Sequence, residues 1–177
     1  MGQPQWANLI QVIELGTHLV WAPTTDDRTR ATCRTQTRAM LMALINVGRH
    51  FDRAIDTAMA DDASRTSAPL ARGMLFRAKV KEHLDGPDGK YLLLAPLGSD
   101  TLVAVQLDDV MQLGGKTGLV DRKDPADGSY VMLCGMATSH FDSGKQQGLF
   151  VLPLEWMAIA APAAATAPAN GGPAAKG

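Results

Sequence analysis

The residues with the clearest chemical potential are arginines that repeat within one stretch of the chain. Arg30, Arg34 and Arg38 recur every four residues, a spacing that places them on one face of a helix. Arg30 has Asp26 and Asp27 one turn earlier, whereas no acidic residue lies three or four positions from Arg34 or Arg38. Guanidinium groups without a local acid can contact phosphates or an acidic protein surface. An ordinary solvated helix face is the alternative interpretation.

A second basic row follows on a predicted strand. Arg77, Lys79 and Lys81 alternate with apolar residues, so they share the solvent-facing side of a strand that begins at Met74. The predicted contacts with an anion or a partner are therefore Arg30, Arg34, Arg38, Arg77, Lys79 and Lys81.

Other chemical motifs are absent or incomplete. The segment 114–117 resembles the end of a phosphate-binding P-loop, but Val110 stands where that motif needs its first glycine. Cys33 and Cys134 have no further residues at metal-ligand spacing, and no arrangement of acids and histidines fixes a catalytic geometry. We therefore predict no metal, no cofactor and no enzymatic activity. An enzyme whose site the sequence does not reveal is the alternative.

The arginine row belongs to a predicted long amphipathic helix from Thr25 to Asp61. Thr25 is the expected N-cap, and the two acids after it suit the first turn. Gly48 interrupts the stretch, so one helix or two joined near that residue both fit, and we favour one. Six apolar residues at steps of three and four form the predicted core stripe: Met40, Leu44, Val47, Phe51, Ile55 and Ala58.

The first three turns of this helix have a weak core face. Thr29, Cys33 and Thr37 stand where large apolar residues would be expected. We therefore expect this end, with Arg34 and Arg38, to project beyond the core.

The N-terminal segment from Trp6 to Ala22 is apolar around Gly16. A short helix followed by a strand and two strands bent at Gly16 fit the pattern equally. We favour strand character after Gly16.

The second half of the chain reads as five short strands separated by turns, at 74–81, 91–95, 101–107, 130–137 and 148–152. Pro153 is expected to end the last one. The predicted fold is α+β, with the long helix packed on a small, strongly bent antiparallel sheet of the SH3-like or OB-like kind. The predicted sheet core is Phe76, Val80, Leu93, Val103, Val105, Leu133 and Phe150.

Composition divides the chain into three parts: an N-terminal part over 1–70, a β-rich barrel over 71–160 and a tail over 161–177. The tail is rich in Ala, Pro and Gly and is expected to be disordered. No segment approaches the length of a membrane span, and two cysteines are too few for a disulfide scaffold. A cytoplasmic protein is expected.

These observations favour a non-enzymatic assembly or adaptor protein that binds other protein chains or itself. A nucleic-acid-associated protein that contacts phosphates through the helix arginines is the alternative. The net charge of −1 and the lack of predicted exposed aromatic residues for base stacking favour the first function.

Overall fold

The computed structural model describes residues 3–45, 72–86, 89–107, 125–142 and 146–162. These residues form two helices followed by five strands, which confirms the α+β class. The elements are α1 (Gln3–Trp21), α2 (Asp27–Leu44), β1 (Arg72–Gly86), β2 (Gly89–Pro96), β3 (Leu102–Leu107), β4 (Tyr130–Asp142) and β5 (Gln147–Ile159).

The five strands close into a barrel in the order β1, β2, β3, β5, β4, with β4 paired back to β1. Four of the pairings are antiparallel, and β3 pairs with β5 in parallel. The prediction of a purely antiparallel sheet was therefore wrong. Strand direction cannot alternate around a ring with an odd number of members, so a closed five-stranded barrel must contain a parallel pair.

The barrel interior is filled by alternate residues of all five strands. Phe76, Val80, Val103, Val105 and Leu133 belong to this interior cluster, as predicted.

Two predicted core residues lie outside the interior cluster. Leu93 pairs with Ala104, which lies between the interior residues Val103 and Val105, so Leu93 is on the outer face. Phe150 pairs with the same Ala104 from the other side and is half-buried on that face. The continuous apolar runs around both residues conceal the alternation of strand faces from sequence reasoning.

The two helices pack against the outside of the barrel over β1, β4 and β5. A second apolar cluster joins Ile13, Val20, Leu41 and Leu44 of the helices to Leu75, Met132, Cys134 and Leu154 of the strands. These three strands are therefore apolar on both faces where the helices cover them.

α1 is helical through Gly16 to Trp21, so the expected strand after Gly16 was wrong. A Cβ at Gly16 would lie 2.9 Å from Leu154 Cδ2 and 3.6 Å from Cys33 Sγ. The glycine therefore marks a close crossing of α1 with α2 and β5 and does not mark a bend.

β5 continues through Pro153 to Ile159, contrary to prediction. The described pairing of β5 with β3 ends at Val151, and Pro153 is paired with Gly135 of β4 at a β-bulge. Proline is tolerated there because its missing N–H falls where the ladder is irregular and one strand edge has no described neighbour. The Trp21 indole donates a hydrogen bond of 2.9 Å to the Pro153 carbonyl, which ties α1 to this point.

α2 reaches Leu44. The predicted continuation to Asp61, the question of continuity at Gly48 and the segment 114–117 lie outside the described residues. The same holds for the tail beyond residue 162.

Candidate functional site

The N-terminus of α2 is tightly capped, one residue later than predicted. Asp26 is the N-cap: its carboxylate accepts hydrogen bonds from Thr29 N at 2.9 Å and from Thr29 Oγ1 at 2.7 Å. These two bonds hold the pKa of Asp26 below its usual value. Arg30 pairs with Asp27 at 3.8 Å, as the sequence spacing predicts, and also donates to the Ala22 carbonyl at 2.8 Å.

The first turns of α2 do not project from the protein body, which corrects the expectation drawn from its small residues. Arg34 is only 3% exposed, and Thr37 is also buried. The small residues Cys33 and Thr37 let α2 approach α1 and the barrel closely, because a large side chain there would hold the elements apart. Small residues on this face therefore indicate close packing.

Arg38 lies against a buried acid of β5. Its Nη1 is 3.9 Å from Oε1 of Glu155, whose side chain is 0% exposed, whereas the side chain of Arg38 is 36% exposed. Glu155 Oε1 also accepts a hydrogen bond from Trp156 N at 2.9 Å. Arg38 thus has an acidic partner 117 positions away along the chain, which local spacing does not reveal.

The second basic row lies on the outer face of β1. Lys79 and Lys81 are exposed, and Arg77 is half-buried. Arg77 lies two residues along β1 from Leu75, so both side chains are on the same face of the strand. Leu75 pairs with Cys134 of β4, and Cys134 pairs with Glu155 of β5. The two basic groups therefore share the outer face of the barrel, although Arg34 is buried and Arg38 is engaged with Glu155.

α1 carries an apolar row on the side that faces solvent. Val12, Leu15 and Leu19 are 58%, 69% and 42% exposed, and their spacing of three and four places them on one helix face. We call these three residues the outer row. The opposite side of α1, with Ile13 and Val20, packs on the barrel. α1 is therefore apolar on two sides, which is unusual for a helix at a protein surface.

A groove of about 270 Å³ lies on the outer face of the barrel. Three aromatic rings meet at this face: Phe150 is 6.0 Å from Tyr91, edge to face, and 5.2 Å from Phe141. All three are half-buried. The polar side chains in the groove lining include Gln106, Thr138 and Ser139. We call this feature the aromatic groove. The sequence did not indicate that these three rings lie together.

The cysteines and acids of the described residues do not gather into a metal-binding cluster. Cys33 and Cys134 form no disulfide with each other, and burial raises the pKa of the Cys33 thiol, which reduces its thiolate fraction. Within the described ranges, no three His, Cys, Asp or Glu side chains come close enough to hold a metal ion. His83 Nδ1 lies 2.8 Å from Asp127 Oδ1 in an exposed pair. Neither described helix is long and apolar enough to cross a membrane.

No model of a known protein family matches this chain, and no curated protein sequence matches it with significant similarity.

Sequence reasoning missed the outer row and the aromatic groove. The outer row could have been recognised from α1 alone, since a helix over 3–21 places Val12, Leu15 and Leu19 together. The aromatic groove could not, because Tyr91, Phe141 and Phe150 come from three different strands.

Proposed function

We propose that this chain is a non-enzymatic assembly protein that binds other protein chains, in the first place a second copy of itself, through the outer row of α1. The observation that supports this function is the exposure of Val12, Leu15 and Leu19 on one helix face. Soluble proteins seldom leave large apolar side chains grouped on one exposed face unless that face binds something.

The charge distribution of α1 favours a second copy as the partner. Glu14 is the single Asp, Glu, Lys or Arg in the helix, and it is turned toward β1, where its Oε1 accepts a 2.7 Å hydrogen bond from Gly73 N. Two α1 helices can therefore meet without repulsion between like charges. In an antiparallel pair that crosses at Leu15, Val12 of one copy faces Leu19 of the other, as two-fold symmetry requires.

The expected association is weak. Fully burying a Val or Leu side chain is worth roughly 1.5–3 kcal/mol, and the outer row is already partly covered. Association itself costs at least about 4 kcal/mol in lost translational and rotational freedom. Burying the six partly exposed side chains of a pair stabilises the dimer by slightly more than this cost. The fraction of dimer should therefore rise with protein concentration.

Sedimentation velocity over a range of protein concentrations tests the proposal. Wild type should shift from monomer toward dimer as concentration rises, and Leu15→Glu should remain monomeric. Met42→Glu is the matched control, because Met42 is 58% exposed on α2, outside the outer row, and this variant should dimerise like wild type. A wild type that stays monomeric up to its solubility limit, or a Leu15→Glu variant that still dimerises, would contradict the proposal.

We also propose that the barrel is of the SH3-like or OB-like kind, which its five strands and closed order support. A cytoplasmic location is proposed as well, with support from the two cysteines, which form no disulfide. Phosphate contact through the helix arginines has less support, because Arg34 is buried and Arg38 lies beside Glu155.

A further inference from the structure

The aromatic groove presents ring faces and hydrogen-bonding groups together. Phe150 is its centre, with Tyr91 at 6.0 Å and an interplanar angle of 61°, and Phe141 at 5.2 Å and 56°. All three rings are half-buried, so part of each ring remains accessible to another planar group. A Cβ at Gly148 would collide with the Phe141 ring, so this glycine allows Phe141 to lie flat across β5 toward Phe150.

The polar groups of the groove are neutral. Gln106 offers an amide with a donor and an acceptor side by side, and Ser139 offers an exposed hydroxyl. Thr138 is already engaged, because its Oγ1 donates to the Phe150 carbonyl at 3.3 Å. No Asp, Glu, Lys or Arg is among the lining residues. A flat, uncharged ring with donors and acceptors on its edge fits this lining, and a nucleobase is such a ring.

Cations lie further round the outside of the barrel. Lys79 and Lys81 are exposed on β1, and the strands continue in the order β1, β2, β3, β5 to Phe150. Because the strands close into a ring, a nucleic-acid strand that contacts both β1 and Phe150 follows the curved outer surface over three strand spacings. This path is at least about 14 Å long, which a few nucleotides of an extended strand can span. Glu82 is exposed beside Lys81, so the local positive charge is small and any phosphate contact should be sensitive to salt.

We propose that the aromatic groove binds bases of a single-stranded nucleic acid, stacked against Phe150 and Tyr91, while Lys79 and Lys81 contact the backbone phosphates. Gln106 and Ser139 hydrogen-bond the edge of the stacked base. This site is separate from the outer row of α1 and does not depend on self-association. It also uses none of the α2 arginines.

Fluorescence anisotropy with labelled oligo(dT) and oligo(U) at low salt tests the site. Phe150→Leu keeps an apolar side chain of similar size but removes the ring, so the fold should persist. Removal of one stacking ring should weaken binding by about 5- to 150-fold. Phe76→Leu is the matched control, because Phe76 is a fully buried ring inside the barrel, and its oligonucleotide affinity should equal that of wild type.

A salt titration tests the lysines. Lys79→Ala with Lys81→Ala should lower the slope of log affinity against log salt by about 0.7 for each phosphate of a single strand that a lysine no longer neutralises. The two oligonucleotides compare a DNA strand with an RNA strand, which differ in the 2′-hydroxyl and in the 5-methyl group of thymine. Leu15→Glu, which alters only the outer row, should bind oligonucleotide as wild type does, so that failure of one proposal is distinguishable from failure of the other.

Three results would overturn the proposal. Wild type that binds neither oligonucleotide at low salt has no such site. If Phe150→Leu binds the oligonucleotides as tightly as wild type does, they bind elsewhere on the surface. Binding of neutral oligosaccharides that Phe150→Leu abolishes, with no oligonucleotide binding, shows that the groove holds sugar rings instead.

Discussion

Replacing Arg38 with methionine would remove a charge from beside a buried acid while keeping the apolar stem of the side chain. Nη1 of Arg38 lies 3.9 Å from Oε1 of Glu155, and the Glu155 side chain is fully buried. Without that cation, Glu155 would remain in the interior with a weaker electrostatic partner. Arg34, buried one turn earlier on α2, is a second cation on the same helix and should limit the loss.

The magnitude follows from the distance and the exposure. Two unit charges 4 Å apart interact by about 4 kcal/mol at an effective dielectric constant of 20 and by about 1 kcal/mol in water. Arg38 is about one-third exposed, so solvent screens part of the interaction. Removing one partner of a fully buried pair costs roughly 3–5 kcal/mol. For this partly exposed cation we expect the free energy of unfolding to fall by about 2 kcal/mol.

Urea unfolding followed by tryptophan fluorescence and circular dichroism measures this loss, since Trp156 is buried beside Glu155 in β5. The matched control is Arg28→Met, which removes an exposed arginine from the same helix and should change stability by less than about 0.5 kcal/mol. In a Glu155→Gln background, Arg38→Met should cost much less than in wild type, because no buried anion is left unpaired.

An Arg38→Met variant as stable as Arg28→Met, with no coupling between Arg38 and Glu155 in the double-mutant cycle, would contradict this ion pair. Arg38 would then be a solvated side chain, as the alternative interpretation of the sequence has it.

Two further predictions concern α1 and α2. Gly16→Ala should lower the free energy of unfolding by up to about 2 kcal/mol in urea denaturation. The new Cβ would displace the buried Cδ2 methyl of Leu154, and overpacking costs about 1–3 kcal/mol, against roughly 1 kcal/mol gained in helix propensity. A more stable variant would show that the Leu154 side chain moves aside without strain. Asp26→Asn should have a lower melting temperature than wild type at neutral pH. The difference should disappear as the pH falls below about 3.8 and through the lowered pKa of Asp26, because the carboxylate is then protonated. A difference that persists in acid would show that the hydrogen bonds from Thr29 do not depend on the negative charge of Asp26.

Local patterns in the sequence were sufficient to predict the class of the fold and most of the strands of the barrel. Alternation with turn chemistry predicted all five strands, and the hairpin between β1 and β2 follows from the turn at 85–89. The spacing of Arg30 and Asp27 predicted their ion pair. These features are legible because each depends on residues close together in the chain.

The helices show where local reasoning stops. The sequence of α1 fits a short helix followed by a strand and two strands bent at Gly16 equally. The structure instead has one continuous helix, which passes close to Leu154 at Gly16. Arg34 and Arg38 have no acid within a helical turn, and only the packing of α2 on β5 brings Glu155 to Arg38. A partner far away in the chain leaves no trace in local spacing.

The outer row and the aromatic groove differ in the same respect: local sequence determines the first, and tertiary structure determines the second. The exposed row of α1 is determined by the sequence once the segment is known to be helical, since the positions of Val12, Leu15 and Leu19 fix their common face. The aromatic groove was decided by the tertiary structure alone. Phe150 lies in a continuous apolar run, and its outward direction is set by pairing with Ala104 of β3. That parallel pairing exists because five strands close into a ring, and it brings Tyr91 of β2 close to Phe150. Phe141 reaches Phe150 through the antiparallel pairing of β4 with β5.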